Sequence, residues 1–293
     1  MRSNLLKVTA VPAITIFTLC AALPHNETPK PAKKETVVFF DDFSGKDINR
    51  ANWTVSITGH VNNNELQAYV DSSATMYITT GPDAKGAKNG ALVIHALYSP
   101  KYKTKDGQTF DFLSGKLESR GKKEFTYGKM SARMKLPAGS GYWPAFWALG
   151  NGNWPDCGEI DIMEYVGEPD WVSAALHGPK YSGETPLVNK LFLTENNDVT
   201  HWHVYTVDWQ KDTISFLVDD IVYYRITRPM IENYGKWAFD KPHFLIVNFA
   251  LGGAYPAKTN GVKMPYYGLP QSTVDDIRAG NARVLVDWVK VTE

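Results

Sequence analysis

The sequence predicts an all-β chain, an antiparallel β-sandwich or barrel, and three observations predict it. From about Val37 onward one strand-like segment follows another, with little convincing helix between them. The segments are short and are joined by turns rich in Gly, Pro and Asn, the usual signature of antiparallel architectures. One hairpin is signalled directly: Asp219-Asp220 separates two apolar runs, Thr213 to Val218 and Ile221 to Ile226.

Taken along the chain, the N-terminus reads first as an export signal over residues 1–22. Arg2 and Lys7 supply positive charge, Val8 to Leu23 is apolar apart from Pro12, and Cys20-Ala21-Ala22 offers small residues for cleavage. The apolar stretch is shorter than the roughly 20 residues a membrane-spanning helix needs. The expected location is therefore secreted, periplasmic or at the cell surface. Cys20 also offers a lipid anchor, against which stands the bulky Leu19 before it. Residues 23–36 are rich in Pro and Lys and read as a disordered linker. Residues 37–293 carry no repeat and no composition break, so one domain is expected there.

Within that domain Ala91 to Leu97 reads as a buried strand. Lys129 to Leu136 alternates strictly, with Met130, Ala132, Met134 and Leu136 on one face and Lys129, Ser131, Arg133 and Lys135 on the other. Phe244 to Ala250 and Arg283 to Val291 are further strands. If processing removes Cys20, Cys157 is the single remaining thiol, a small buried residue, and no internal disulfide forms.

Lys plus Arg number 31 and Asp plus Glu 31, so the formal net charge is zero. Nucleic acid and strongly sulfated polymers, which call for a basic groove, are poor partners for such a chain. No His or Cys pair has zinc spacing, no Gly-rich phosphate loop is present, and no Gly-x-Ser-x-Gly elbow occurs.

The most informative segment is Gly158-Glu159-Ile160-Asp161-Ile162-Met163-Glu164-Tyr165. Three carboxylates sit in an otherwise apolar, strand-like run, where burying an acid costs several kcal/mol unless it is paired or hydrogen-bonded. Alternation places Glu159 and Asp161 on one face and the isoleucines on the other. Glu164, five positions from Glu159, would then point to the core. A β-bulge near Ile162-Met163 would return it to the acidic face, and one is predicted there. Paired carboxyls, one ionised as a nucleophile and one kept protonated by its neighbour's charge, are the equipment for cleaving a glycosidic bond; a separation of about 5–5.5 Å would mean retention of configuration. Asp161 between them can hydrogen-bond the nucleophile. An exposed acidic edge and a calcium site are the competing readings of the same residues.

The aromatic neighbours favour the first reading. Trp143 and Trp147 share a parity and so a face, and Trp154 can add another wall. Flat indoles offer surface on which the C–H face of a pyranose stacks. As core fillers, three Trp beside buried acids would be unusual. Asn62 to Gln67, ahead of Tyr69, suits recognition of sugar hydroxyls or, equally, plain turn chemistry. His177, alone near a strand end, is by itself more often structural than catalytic.

Glu159-Ile160-Asp161-Ile162-Met163-Glu164, preceded by Trp143-Pro144-Ala145-Phe146-Trp147, resembles glycoside hydrolase family 16. Within it the chain is most similar to bacterial laminarinases, which are endo-1,3-β-glucanases. Asn63-Asn64-Glu65-Leu66-Gln67, Phe125-Thr126-Tyr127-Gly128 and Leu176-His177-Gly178 match laminarinase-like blocks, and Met163 favours the laminarinase, agarase and carrageenase branches over the lichenase branch. The resemblance implies a β-jelly roll with a concave substrate cleft and retaining hydrolysis. It implies Glu159 as nucleophile, Glu164 as general acid/base and Asp161 as assisting carboxylate. Trp143, Trp147 and Trp154 would line the glucan cleft, with Asn64 and His177 close by. Catalysis would need no cofactor. A structural calcium would lie on the convex side at Asp42 and Asp287, although the family more often has Glu at the Asp42 position. The expected partner is a β-glucan polysaccharide, acted on by a monomer. Mixed-linkage β-glucan, agarose and carrageenan are the neighbouring substrates, and a non-catalytic sugar-binding protein is the alternative of a different class.

Overall fold

The structure, a computed structural model, describes residues 35–58 and 61–293; the expected export signal, Cys20 and the linker up to residue 34 lie outside the described residues. Nineteen strands follow in chain order. The first nine are β1 (Val37–Asp41), β2 (Thr54–Val55), β3 (Gln67–Tyr69), β4 (Met76–Thr79), β5 (Ala91–His95), β6 (Leu97–Lys103), β7 (Thr109–Ser114), β8 (Lys116–Glu118) and β9 (Glu124–Phe125). The rest are β10 (Gly128–Lys135), β11 (Tyr142–Gly150), β12 (Glu159–Glu164), β13 (Trp171–His177), β14 (Leu187–Phe192), β15 (His203–Gln210), β16 (Thr213–Val218), β17 (Ile221–Thr227), β18 (His243–Leu251) and β19 (Arg283–Thr292). Three short helices intervene, α1 (Arg228–Glu232), α2 (Ala254–Asn260) and α3 (Gln271–Arg278).

Two eight-stranded antiparallel sheets pack face to face. One runs β17-β16-β15-β10-β19-β5-β4 with β1 added beside β19; the other runs β14-β13-β12-β11-β18-β8-β2 with β9 added beside β18. This is the jelly-roll-like sandwich expected. The core between them follows from side-chain parity. Met130, Ala132 and Met134 of β10 are fully buried while Lys129, Arg133 and Lys135 keep contact with solvent, so the strict alternation read in the sequence is the alternation of the sheet. Ile160, Ile162 and Met163 of β12 meet that core from the opposite sheet. Asp219 and Asp220 take left-handed backbone conformations (φ 49° and 67°), the geometry that lets a two-residue turn match strand twist, and they close the β16–β17 hairpin.

Three features differ from the sequence reading. The strand expected over Ala91 to Leu97 is split at Ala96, whose N–H bonds to Ala282 O, and Leu97 opens β6 in a separate three-stranded sheet. That sheet holds a parallel pair, β3 with β7. Helix α3 forms although the pattern read as strands and turns: Thr273, Val274 and Ile277 make a buried stripe at helical spacing, and Tyr142 donates to Asp276 at 2.7 Å. Among the described residues no helix is long and apolar enough to cross a membrane.

Candidate active site

The site is built on β12, and its geometry begins with one extra residue. Across β11, Trp147 opposes Asp161 and Phe146 opposes Met163, leaving Ile162 without a partner; across β13, Asp161 opposes Ala175 and Glu164 opposes Ser173. This is the bulge the sequence predicted. Ile162 and Met163 both turn into the core, 1% and 0% exposed, and Glu164 returns to the face of Glu159 and Asp161. Register places the row Asn248, Ala145, Glu164, Ser173 and the row Ile246, Trp147, Asp161, Ala175 side by side on the sheet face away from the core.

Each glutamate is held by an indole. Trp154 Nε1 donates to Glu159 Oε2 at 2.8 Å, and Trp143 Nε1 donates to Glu164 Oε1 at 3.0 Å. His177, opposite Glu159 on β13, accepts the Gly183 N–H at Nδ1 (3.2 Å), so its ring proton sits on Nε2. Nε2 lies 3.2 Å from Asp161 Oδ2 and 4.0 Å from Glu159 Oε1, and is not aligned for a formed hydrogen bond to Asp161. One donor atom each from Glu159, Asp161 and His177 falls within 4.8 Å of the others, the only such group of His, Cys, Asp and Glu among the described residues. Its chemistry is that of shared protons as much as of a cation site, because Trp154 already donates to Glu159.

All three acids are pushed above the ordinary carboxylate range. Burial, then the charge of Asp161, raises Glu159 to about 8, against the opposing pull of His177 and the Trp154 donor. Burial raises Glu164 to about 7, with the Trp143 donor working the other way. Burial, then the charge of Glu164, raises Asp161 well above its usual value. Desolvation is thus the larger lever, where the sequence reading had given that role to repulsion alone. At neutral pH the cluster retains protons.

Of the residues expected around the acids, Trp143, Trp154 and His177 touch them directly. Trp147 lies across from Asp161 on β11, and its Nε1 donates to Asn248 Oδ1 at 2.7 Å. Trp154 is half exposed, packs at 6.0 Å from the His177 ring, and stands as a wall over the open face. Asn64 is not joined to the acids. It is an exposed turn residue at φ 55°, so turn chemistry wins there. Its neighbour Glu65 is instead built into the sheet: Gln67 Nε2 donates to Glu65 Oε2 at 2.7 Å, Tyr69 OH donates to the same oxygen at 3.2 Å, and Asn248 Nδ2 donates to Tyr69 OH at 3.0 Å. The sequence reading missed Glu65, Tyr69, Asn248 and Lys116. Only the alternation of Gln67 and Tyr69 ahead of a strand could have signalled any of them.

Asp42 and Asp287 do not fit a calcium ion. Arg133 Nη1 is 2.5 Å from Asp287 Oδ2 and also donates to Gly86 O at 2.8 Å, while the Lys88 N–H donates to Asp287 Oδ1 at 3.0 Å. The Arg133 guanidinium lies 4.8 Å from the centroid of the Trp202 ring. Asp42 accepts from Asn89 Nδ2 at 2.7 Å and from the Ser44 N–H at 3.2 Å. A dication on Asp287 would face a guanidinium already neutralising that buried carboxylate. Arg133 thus holds the Gly86–Asn89 loop to β19 at the place where the resemblance put a metal.

Comparison with known proteins gives a consistent answer. Residues 52–269 match the profile of Glycosyl hydrolases family 16. A β-glucanase from Rhodothermus marinus is 31% identical over 291 residues, covering 95% of this chain and 92% of that protein. The endo-β-1,3-glucanase from Pyrococcus furiosus superposes with a TM-score of 0.76 at 33% identity, over 88% of this chain and 94% of that one. The laminarinase catalytic domain from Thermotoga maritima gives 0.73 at 29% identity, over 89% and 99%.

Proposed function

The chain belongs to glycosyl hydrolase family 16 and is an endo-acting β-glucan hydrolase, and from that premise we propose that it cleaves β-1,3-glucosidic linkages of laminarin-type glucans by double displacement, as a secreted monomer. The observation that carries the mechanism is the bulge at Ile162, which sets three proton-holding carboxyls on one open sheet face.

The roles follow from the surroundings of each acid. Asp161, flush with the sheet floor and 4% exposed, keeps its proton and shares it with Glu159. That leaves Glu159, at the rim beneath Trp154, as the anion that attacks the anomeric carbon. Glu164, raised to about 7, is protonated at neutral pH and gives its proton to the departing glycosidic oxygen. A covalent glycosyl-enzyme forms at Glu159. Glu164, now a carboxylate, takes a proton from water, which attacks the same carbon and releases the sugar with its original configuration. Trp143, Trp147 and Trp154 would stack the pyranose rings. His177 orients Asp161. The preference for 1,3-linkages is supported by the likeness to the Pyrococcus and Thermotoga enzymes. Secretion is supported by the export signal read in the sequence.

Product analysis tests this. On laminarin the first product should be a β-anomer by NMR. The Glu159→Ala variant should lose hydrolysis and, given azide, form the α-glycosyl azide, because one displacement has been removed. A first product of α configuration from the wild type, or wild-type turnover by Glu159→Ala, refutes the mechanism. Preference for agarose, carrageenan or mixed-linkage glucan over laminarin refutes the linkage alone.

A further inference from the structure

We infer that Glu65 is a positioning residue for the sugar-stacking wall at Trp147, acting through Tyr69 and Asn248 by a chain of hydrogen bonds whose direction is fixed at both ends. The inference rests on the reading that Trp147 lines the glucan cleft.

The direction can be deduced atom by atom. An indole N–H can only donate, so the 2.7 Å contact of Trp147 Nε1 fixes the Asn248 side chain with Oδ1 toward Trp147 and Nδ2 toward Tyr69. Asn248 must then donate to Tyr69 OH at 3.0 Å, and the phenol's own proton is left for Glu65 Oε2 at 3.2 Å. The other end is equally constrained. The Leu251 backbone N–H donates to Gln67 Oε1 at 2.7 Å, so Gln67 Nε2 faces Glu65 and donates to it at 2.7 Å. Both donors converge on one carboxylate oxygen, which only accepts. No member can reverse without leaving a buried donor facing a donor, and the amides are 2% and 7% exposed.

The charge is placed to match. Lys116 lies next to Asn248 in register on β8, with its ammonium 5.1 Å from the centroid of Trp147 and 6.0 Å from that of Tyr69, and 3.5 Å from Glu118. It covers the ring face and faces the acid at the far end of the chain. Asn248 opposes Ala145, which opposes Glu164, so the relay ends two strands from the reacting acid. Glu65 itself is too remote to touch the scissile bond. Its work is to hold the plane of the Trp147 ring.

The test compares Glu65→Met, Glu65→Gln and Tyr69→Phe with the wild type on laminarin, each also made in a Trp147→Phe background, where the indole donor is gone. Glu65→Met and Tyr69→Phe should each raise KM roughly tenfold while kcat falls less than threefold. Glu65→Gln, which keeps one carbonyl able to accept both donors, should lie between them and the wild type. In the Trp147→Phe background the same substitutions should change KM less than twofold, since coupled sites are not additive. In 15N-labelled protein the indole N–H resonance that disappears in Trp147→Phe should move in Glu65→Gln and in Tyr69→Phe. An unmoved resonance, or effects on KM that simply multiply in the double variants, overturns the inference. A wild type that hydrolyses no β-glucan would refute the substrate reading instead, and the resonance would still decide whether the relay exists.

Discussion

Trp143, on β11, donates its indole N–H to Oε1 of Glu164 on β12 at 3.0 Å, and so favours the charged form of an acid that burial pushes the other way. The proposed general acid is thus poised by two opposed effects, and removing one has a calculable direction. In Trp143→Phe the donor is lost and the Glu164 pKa rises beyond about 7. The alkaline limb of the kcat/KM profile, where the acid loses its proton, should move to higher pH by about half a unit to one unit. A profile measured on a soluble β-glucan checks this. A limb that stays or moves down would remove Glu164 from the acid role.

Raised acids also couple activity to stability. Glu159 and Glu164 bind protons in the folded chain up to about 8 and about 7, well above their model value of 4.5 when unfolded. Between those limits the folded state holds more protons than the unfolded one. The favourable contribution is therefore complete below pH 4.5 and is lost as pH rises through 7 and 8. Glu159→Gln and Glu164→Gln remove the ionisation. Each should raise Tm relative to wild type at pH 8.5 and change it little at pH 4.5. Thermal melts at the two pH values give the comparison, and equal shifts at both would contradict the assigned burial cost.

How far the sequence could be read follows from the range of the interactions. Strand β10 and the Asp219-Asp220 hairpin are local patterns of period and turn chemistry, and they were legible. So was the bulge, because three acids in one run demand a common face. The Glu65–Tyr69–Asn248–Trp147 chain was not, since Tyr69 and Asn248 stand 179 positions apart and carry no local signal. Asn64 attracted notice as the amide in a turn, while its plainer neighbour made the buried contacts. Helix α3 escaped for a similar reason. Its eight residues are mostly polar, and only docking against the β11 end, through Tyr142 and Asp276, gives Val274 and Ile277 something to cover.

Arg133 and Asp287 give a prediction about metal. The carboxylate is 2% exposed and its cationic partner is part of the chain. Arg133→Ala would leave a buried anion unpaired and should cost about 3 kcal/mol, by the general penalty for breaking such a pair. Arg133→Lys should recover only part, lacking the fork that also reaches Gly86 O. In the wild type, melts with EDTA and with added calcium should coincide. A Tm that falls with the chelator and returns with calcium would mean that a metal, and not Arg133, secures the Gly86–Asn89 loop.

The bulge can be tested by removing it. With Ile162 deleted, Phe146 would still oppose Met163, Trp147 would still oppose Asp161, and Ala145 would still oppose Glu164, all now in regular register. Across β13 the interval from Asp161 to Glu164 would shorten to match Ala175 to Ser173. The glutamates would stand four positions apart, where ordinary alternation keeps both on the open face. Deleting both Ile162 and Met163 leaves them three apart, and alternation then sends the second glutamate into the core. The cost in packing is large for either variant, since Ile162 and Met163 are both buried, and each deletion should lower Tm by several degrees. Activity should separate them. The single deletion retains hydrolysis above that of Glu164→Gln, because all three acids still meet the sugar. The double deletion loses it, even where circular dichroism shows the sheets intact. If the single deletion were as inactive as Glu164→Gln while still folded, the bulge would be setting a distance between the acids that parity alone does not supply.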